Sequence, residues 1–237
     1  PCRSLDAGEM DEFRHRIKDY MLKAAREAKV NTSWVRPDAL YEEALLIFID
    51  RILERDGSGE FVRDFTDFQK KISLFGIYNS LSQVLLKITS PGVPDFYQGT
   101  EIWDFSLVDP DNRRPVDYAL RAAMLREIKQ RESEMGPLEL SRYLEQEKKK
   151  GMIELYIIYK ALNFRKENRE LFEDGEYMPL ELFGGGNGRV CAFMRRTGNK
   201  TVIVAAPRLL AGFLSGTEVL PFGKEAWGES SIGVPSE

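Results

Sequence analysis

Between Ser90 and Pro115 the chain gathers the residue types that hold a sugar. Ser90-Pro91-Gly92-Val93-Pro94-Asp95-Phe96-Tyr97-Gln98-Gly99-Thr100-Glu101 is followed closely by Asp109-Pro110-Asp111-Asn112-Arg113-Arg114-Pro115. Carboxylates, amides and guanidinium forks bind hydroxyls, and an aromatic ring covers the apolar side of a pyranose. Asp109, Asp111, Asn112, Arg113 and Arg114 alternate acceptors with rigid donor forks, and arginine makes planar two-point contacts that lysine cannot. Gly92 and Gly99 permit close backbone approach or positive φ, while Pro94 stiffens the segment. The plainer reading is a connection shaped by glycine and proline and merely solvated by its charges. The density of forks and acceptors favours ligand contact. The stretch follows a helix-like run and carries a short apolar segment (Val93, Phe96, Tyr97). That is where the C-terminal end of a barrel strand delivers an active-site loop. It is only part of a site.

The elements that must position these residues belong to a chain of 237 residues, 43% hydrophobic and 30% charged, with a net charge of -4. Such a chain buries a real core in one or two domains, and its acidic balance argues against nucleic acid. The basic clusters Lys148-Lys149-Lys150 and Arg195-Arg196 read as solvated faces. Cys2 and Cys191 have no metal-ligand spacing and fit a reducing compartment, with Cys191 a small buried residue of a strand. No apolar run reaches bilayer length and the N-terminus has no signal-peptide layout, so a cytoplasmic protein is expected. The single histidine, His15, leaves no room for a histidine metal site or a Ser-His-Asp triad unless another chain contributes. No metal or cofactor is expected.

Apolar periodicity predicts a helical first 90 residues. Phe13, Ile17, Tyr20, Met21, Ala24 and Ala28 form one stripe. A second helix begins in the first turn at Pro37-Asp38, carries Tyr41, Leu45, Phe48 and Ile52, and ends at the turn Asp56-Gly57-Ser58-Gly59. A long helical stretch follows in two pieces, Phe61–Ile72 and Ile77–Ile88, with Gly76 a plausible break. Further helices are expected over Val116–Arg131, Leu138–Glu147 and Met152–Asn168. Tyr177–Phe183, Arg189–Arg195 and Thr201–Ala206 then read as an antiparallel meander. The tail from Gly223 shows no clear partner strand, so the sheet edges look exposed.

Three other features have plainer readings. Gly184-Gly185-Gly186-Asn187-Gly188 lies between strands and reads as a hairpin turn, since a phosphate loop needs a following helix. Phe61, Phe65 and Phe68 at helical spacing read as core and not as a stacking platform. Asn31-Thr32-Ser33-Trp34 fits either a sugar subsite or ordinary helix-start chemistry, and the residues leave both open.

At its polar loops the chain resembles a known family. Ser90–Glu101 followed by Trp103-Asp104 is similar to the last-strand motif of maltooligosyl trehalose synthases, members of the α-amylase superfamily. The broad Gly-x-Pro-x-x-Tyr-x-Gly-x-Glu pattern is only moderately specific. Asp109-Pro110-Asp111-Asn112-Arg113-Arg114-Pro115-Val116-Asp117-Tyr118 resembles the loop that follows and is much sharper. Glu12–Val30 with Thr32-Ser33-Trp34 resembles the helical segment before the final strand. Val190-Cys191-Ala192-Phe193 and Val204-Ala205-Ala206-Pro207-Arg208 resemble the C-terminal β module. Asn31 departs from an expected histidine, which puts a ligand role there in doubt.

The resemblance implies an α+β fold. It would hold a mostly helical body with the last strand and helix of a (β/α)8 barrel, then a small, incomplete antiparallel β domain. The implied division is 1–135 for the helical segment and final βα unit, 136–176 for a helical connector and 177–237 for the partial β domain. The implied chemistry is an intramolecular transglucosylation that turns the reducing-end α-1,4 linkage of a maltooligosaccharide into α,α-1,1. It needs a nucleophilic Asp and an acid/base Glu about 5 Å apart, both on earlier barrel strands, so no catalytic residue is assigned here. Substrate contacts are expected from Asp95, Tyr97, Gln98, Glu101, Asp109, Asp111, Asn112, Arg113 and Arg114. Acids and amides would hold hydroxyls, Tyr97 would give a ring face, and the arginine pair would anchor hydroxyls or brace the loop. Asp95 and Glu101 shape and line the site and do not break the bond. A non-catalytic carbohydrate-binding module or a helical interaction protein are the alternatives. Bare barrel faces would also favour self-association.

Overall fold

Asp6 opens the first helix through a capping box: its carboxylate accepts from Glu9 N, and the Glu9 carboxylate accepts from Asp6 N. The computed structural model describes residues 6–54, 59–186, 188–212 and 221–235. Helix α1 spans Ala7–Ala28 and α2 spans Ala39–Leu53. Asp38 is the N-cap of α2, accepting from Tyr41 N, so Pro37 and Asp38 precede the helix and are not in its first turn. The expected closing turn, Asp56-Gly57-Ser58, lies outside the described residues.

Helix α3 runs unbroken over Gly59–Thr89. Gly76 does not interrupt it, because Leu74, Phe75, Tyr78 and Leu81 on either side pack into one apolar cluster with Leu210 and Trp227. Burial there outweighs the roughly 1 kcal/mol that a helical glycine costs. The amino-terminal part of α3 corrects a second expectation. Phe61, Phe65 and Phe68 are 49%, 58% and 58% exposed and form no core. Phe61 and Phe65 stack on each other, and no described element covers the face they share.

The chain divides into two compact units. One holds the residues up to Lys71 together with Phe105–Pro115. Its helices α1 and α2 pack together, with Ile49 buried. The other holds Ile72–Asp104 and everything from Val116 onward. It includes α4 (Tyr118–Glu134), α5 (Pro137–Gln146), α6 (Met152–Glu167) and the short α7 (Arg169–Glu173). Ile128, Leu140, Leu144, Met152 and Leu155 knit α4, α5 and α6 into one core. A second cluster joins Val84 and Ile88 of α3 to Ile158 of α6.

The β region of this second unit forms two sheets instead of one meander. Strands β1 (Glu176–Pro179), β3 (Val190–Thr197) and β4 (Lys200–Pro207) make an antiparallel sheet in the order β1-β3-β4. Gly198-Asn199 is a true two-residue hairpin loop between Thr197 and Lys200. Strand β2 (Leu182–Phe183) pairs instead with β5 (Ser231–Ile232). The glycine run therefore connects strands of different sheets and is not a hairpin turn, with Asn187 outside the described residues. The tail does supply a partner strand, after the short helix α8 (Gly223–Trp227). A β bond marks periodicity poorly in two-residue strands, which explains why β5 carries no pattern.

Two charged expectations also change. Arg195 is only 1% exposed, so Arg195-Arg196 is no solvated face. Its guanidinium donates to Phe172 O at 2.9 Å, to Gly175 O at 2.8 Å and, at the limit of 3.5 Å, to Thr89 O. In the other cluster Lys148 is tied down, bridging to Glu145 while its carbonyl accepts from the Trp103 indole, and Lys149 and Lys150 stay exposed as expected. Cys191 is a free strand cysteine, half-buried and not fully buried. A Met at position 195 would keep the packing against Phe172 and leave three carbonyls short of a donor. Arg195→Met should therefore lower unfolding stability by about 2 kcal/mol. The urea midpoint at constant m-value measures it, and an unchanged midpoint contradicts the role of these bonds.

Candidate functional site

The polar stretch read from the sequence is divided between the two units, and each half has its own logic. In the second unit, the residues after α3 run without regular secondary structure from Val93 to Tyr97. The backbone there is held by arginines. Arg165 of α6 donates to Ile88 O at 2.6 Å, Gly92 O at 2.5 Å and Ser90 O at 3.4 Å. Arg121 of α4 donates to Gly99 O at 2.5 Å and, through Nε, to Glu101 Oε2 at 2.9 Å. Gly99 has φ +91, and a Cβ there would stand 3.2 Å from the Val116 side chain. Gly92, at φ +110, also needs the left-handed freedom of glycine.

Between these two grips the side chains alternate. Phe96 turns inward onto Val84, Ile88 and Ile158, with Lys87 Nζ 3.8 Å from its ring centroid. Asp95, Tyr97 and Gln98 face solvent, and their side chains have no partner among the described residues. Tyr97 is 48% exposed. A carboxylate, an amide and a phenol ring thus stand together on a braced backbone, which is what hydroxyl binding with ring stacking requires. Glu101 differs, because its carboxylate is engaged by Arg121.

In the first unit, Phe105–Pro115 is fastened to α1. Arg16 grips Asp111 by both oxygens, at 2.8 and 2.7 Å, and also donates to Phe105 O. Leu107 N adds a third bond to Asp111, at 2.6 Å. The Arg16 hydrogen bonds come first in holding the Asp111 carboxyl down at about 2, helped by Leu107 N and opposed by burial. Arg114 reaches Asp111 O and Glu12, while Lys23 donates to Asp109 O at 2.5 Å. Arg113 pairs with Asp109 and stays exposed. Asn112 Oδ1 is buried with no hydrogen-bond partner among the described residues. Asp111 and Arg114 therefore brace the loop, whereas Arg113 keeps most of its surface open.

The Asn31–Trp34 segment resolves in favour of helix-start chemistry for its hydroxyls. Thr32 Oγ1 donates to Glu42 at 2.7 Å and accepts from Asp38 N, and Ser33 Oγ accepts from Arg36 N. Arg26 holds Glu42 by two bonds, which with Thr32 keeps that carboxyl near 2. Trp34 remains half-exposed with the Arg26 guanidinium 4.8 Å from its ring centroid. No cluster of three or more His, Cys, Asp or Glu that could hold a metal occurs among the described residues. His15 lies exposed beside Asp19.

Sequence reasoning missed the cations that do the bracing: Arg16, Lys23, Arg121 and Arg165. Arg16 and Lys23 lie seven residues apart, two turns along one face of α1, and Arg121 follows the Asp117 N-cap by four residues. Those spacings were visible, but nothing in them names a backbone carbonyl as the partner.

Comparison with known proteins decides the relationship. A Mycobacterium tuberculosis protein named as a maltooligosyl trehalose synthase is 32% identical over 196 residues, which is 83% of this chain and 22% of that protein. A crystal structure of a maltooligosyl trehalose synthase superposes with a TM-score of 0.67 at 38% identity, covering 83% of this chain and 25% of that one. The Arthrobacter ramosus synthase superposes with a TM-score of 0.70 at 32% identity, covering 93% and 26%. This chain is homologous to one part of the maltooligosyl trehalose synthases. It spans about a quarter of the length of the synthases it matches. No protein-family model matches it. The mostly helical body and small antiparallel sheets agree with that partial likeness.

Both Asp111 and Glu42 titrate far below the ordinary carboxylate range of about 4. Each folded value is depressed, so each contribution to stability is complete above about pH 4.5 and lost as pH falls through about 2. An Asp111→Asn, Glu42→Gln double variant should be less stable at neutral pH. Its unfolding midpoint should vary less with pH between about 4.5 and 2 than that of the parent chain. Parallel curves in urea titrations across that window would refute the assignment.

Proposed function

We propose that this chain is the C-terminal portion of a maltooligosyl trehalose synthase of the α-amylase superfamily, and that Asp95, Tyr97 and Gln98 line its glucan site. Val93–Tyr97 would be the last strand of the (β/α)8 barrel, and α4 the helix that follows it. The observation that carries this reading is the set of exposed, unpartnered polar side chains on an arginine-braced backbone, in a chain homologous to a synthase over 83% of its length. In the intact enzyme, which would be cytoplasmic, the reducing-end α-1,4 bond of a maltooligosaccharide is opened by carboxylates outside this chain. The freed glucose turns over and is rejoined as α,α-1,1. This chain alone would not turn substrate over.

Each residue has a role in that scheme. Asp95 and Gln98 hold hydroxyls, Tyr97 lies against a sugar ring, and Glu101 shapes the site through Arg121. On the second loop Asn112 and Arg113 are the contacts, while Asp109, Asp111 and Arg114 keep that loop in shape. Arg113 suits contact because its side chain is 70% exposed and its ion pair with Asp109 is a surface pair. Such pairs contribute about 0–1 kcal/mol to stability, so losing one need not unfold the protein.

Two outcomes test the reading. Asp95→Asn, Tyr97→Ala and Arg113→Ala in the intact synthase should each lower kcat/KM on maltopentaose by about tenfold or more, about 1.4 kcal/mol. Their melting temperatures should stay within a few degrees of the parent's. Unchanged turnover in all three variants would sink the site. The isolated chain should show no loss of reducing sugar from maltopentaose, and measurable loss would overturn the division of labour.

A further inference from the structure

The grips at the two ends of the Val93–Gln98 segment point to residues that act on the glucan only through the backbone they hold. Helix α3 ends at Thr89 with carbonyls that no helical N–H can satisfy. Arg165 takes Ile88 O, Ser90 O and Gly92 O, one guanidinium over three carbonyls at the entry to the segment. At the exit Arg121 takes Gly99 O and Glu101. Neither arginine side chain hydrogen-bonds to Asp95, Tyr97 or Gln98. Arg165 comes from α6 and Arg121 from α4, both cored by Ile128, Leu155 and Ile158, so the segment is tied to the packed helices at each end. With Phe96 sunk between the two grips, the outward direction of Asp95 and Tyr97 follows from the backbone alone.

We infer that Arg121 and Arg165 are positioning residues for the glucan, which set the pose of Asp95, Tyr97 and Gln98 by clamping the carbonyls on either side. The inference rests on the assignment of that segment to the glucan site. A glutamine at either position keeps only the two N–H donors of one amide nitrogen and loses the charge and the planar two-point reach. A lysine keeps the charge but is a point donor.

Arg121→Gln, Arg165→Gln, Arg121→Lys and Arg165→Lys are compared with Tyr97→Ala in the intact synthase. Turnover of maltopentaose and amide hydrogen exchange over residues 93–100 are both read. The glutamine variants should lose about tenfold in kcat/KM, mainly in kcat, because misaimed groups still meet substrate but fit the transition state poorly. Exchange at 93–100 should quicken while that of α4 and α6 stays as in the parent. Should a glutamine variant not fold, the matching lysine variant decides, with an expected loss of severalfold at parental helix exchange. If Tyr97→Ala is impaired while the folded arginine variants stay within twofold of the parent, the positioning role is wrong and the glucan site stands. If Tyr97→Ala, Asp95→Asn and Arg113→Ala are all unimpaired as well, the glucan site falls and the positioning role falls with it.

Discussion

The last turn of a helix has carbonyls without donors, and the way α3 resolves this governs the second unit. Water would serve if the end were exposed, but Ile88 and Thr89 are buried. Guanidinium groups serve instead. Arg165 covers Ile88, Ser90 and Gly92 from α6, and Arg195 brings β3 to Thr89, Phe172 and Gly175. Positive charge at a helix C-terminus also complements its dipole. Arg195 has no carboxylate partner among the described residues, and burial together with the nearby Arg165 charge pulls its pKa down. That cost is met by carbonyl bonds and by the flat face of Phe172 below both guanidiniums. One end of a helix, one sheet and one loop are thereby joined through main-chain oxygen.

The two polar loops show how little residue type says about use. Both carry carboxylates and an amide, but only Phe105–Pro115 has arginines of its own. In Phe105–Pro115 the charges face one another and α1: Asp111 receives Arg16, Leu107 N and Arg114, and its depressed titration is the mark of that saturation. In Val93–Glu101 the cations come from other elements and take backbone oxygen and the Glu101 carboxylate, which leaves Asp95, Tyr97 and Gln98 without side-chain partners among the described residues. A carboxylate already satisfied by a bidentate arginine has little left for a sugar hydroxyl, whereas an unpartnered one has all of its capacity. The electrostatics therefore separates carboxylates engaged in bracing from unengaged ones where composition could not.

Much of the helical body was legible because its period is long and its caps are local. Phe13 to Ala28 reads as a stripe, α6 falls almost where Ile153 to Phe164 put it, and Asp38 marks the start of α2 to within one residue, as its N-cap and not in its first turn. Failures came where the deciding partner is distant. Gly76 looks like a break until both flanks are seen packed, and Phe61 to Phe68 look like core until nothing is found over them. Arg195-Arg196 reads as surface charge, because a strand pattern cannot announce carbonyls contributed by residues 89, 172 and 175. Strand β5 is two residues long, and its pairing with β2 spans some fifty residues of chain. In the candidate site the motif located the loops, while the arginines that hold them lay in helices whose sequence marks them only as polar positions.

The exposed apolar surface fits the partial coverage of the homologous synthases. Phe61, Phe65, Phe68 and Ile72 would make one side of α3 costly to leave in water over any length, at about 25 cal/mol per Å2 of apolar area. Val35 and Val93 are almost wholly exposed as well. A chain that seats Phe96 in a packed cluster and pins the adjoining carbonyls, yet leaves these groups bare, has a finished interior around its loop and an unfinished exterior. The matched synthases are about four times longer. An interior complete around the Val93–Glu101 loop, with apolar faces uncovered, agrees with a chain that matches only one portion of larger proteins, and the geometry of that loop is set locally by Phe96, Arg121 and Arg165.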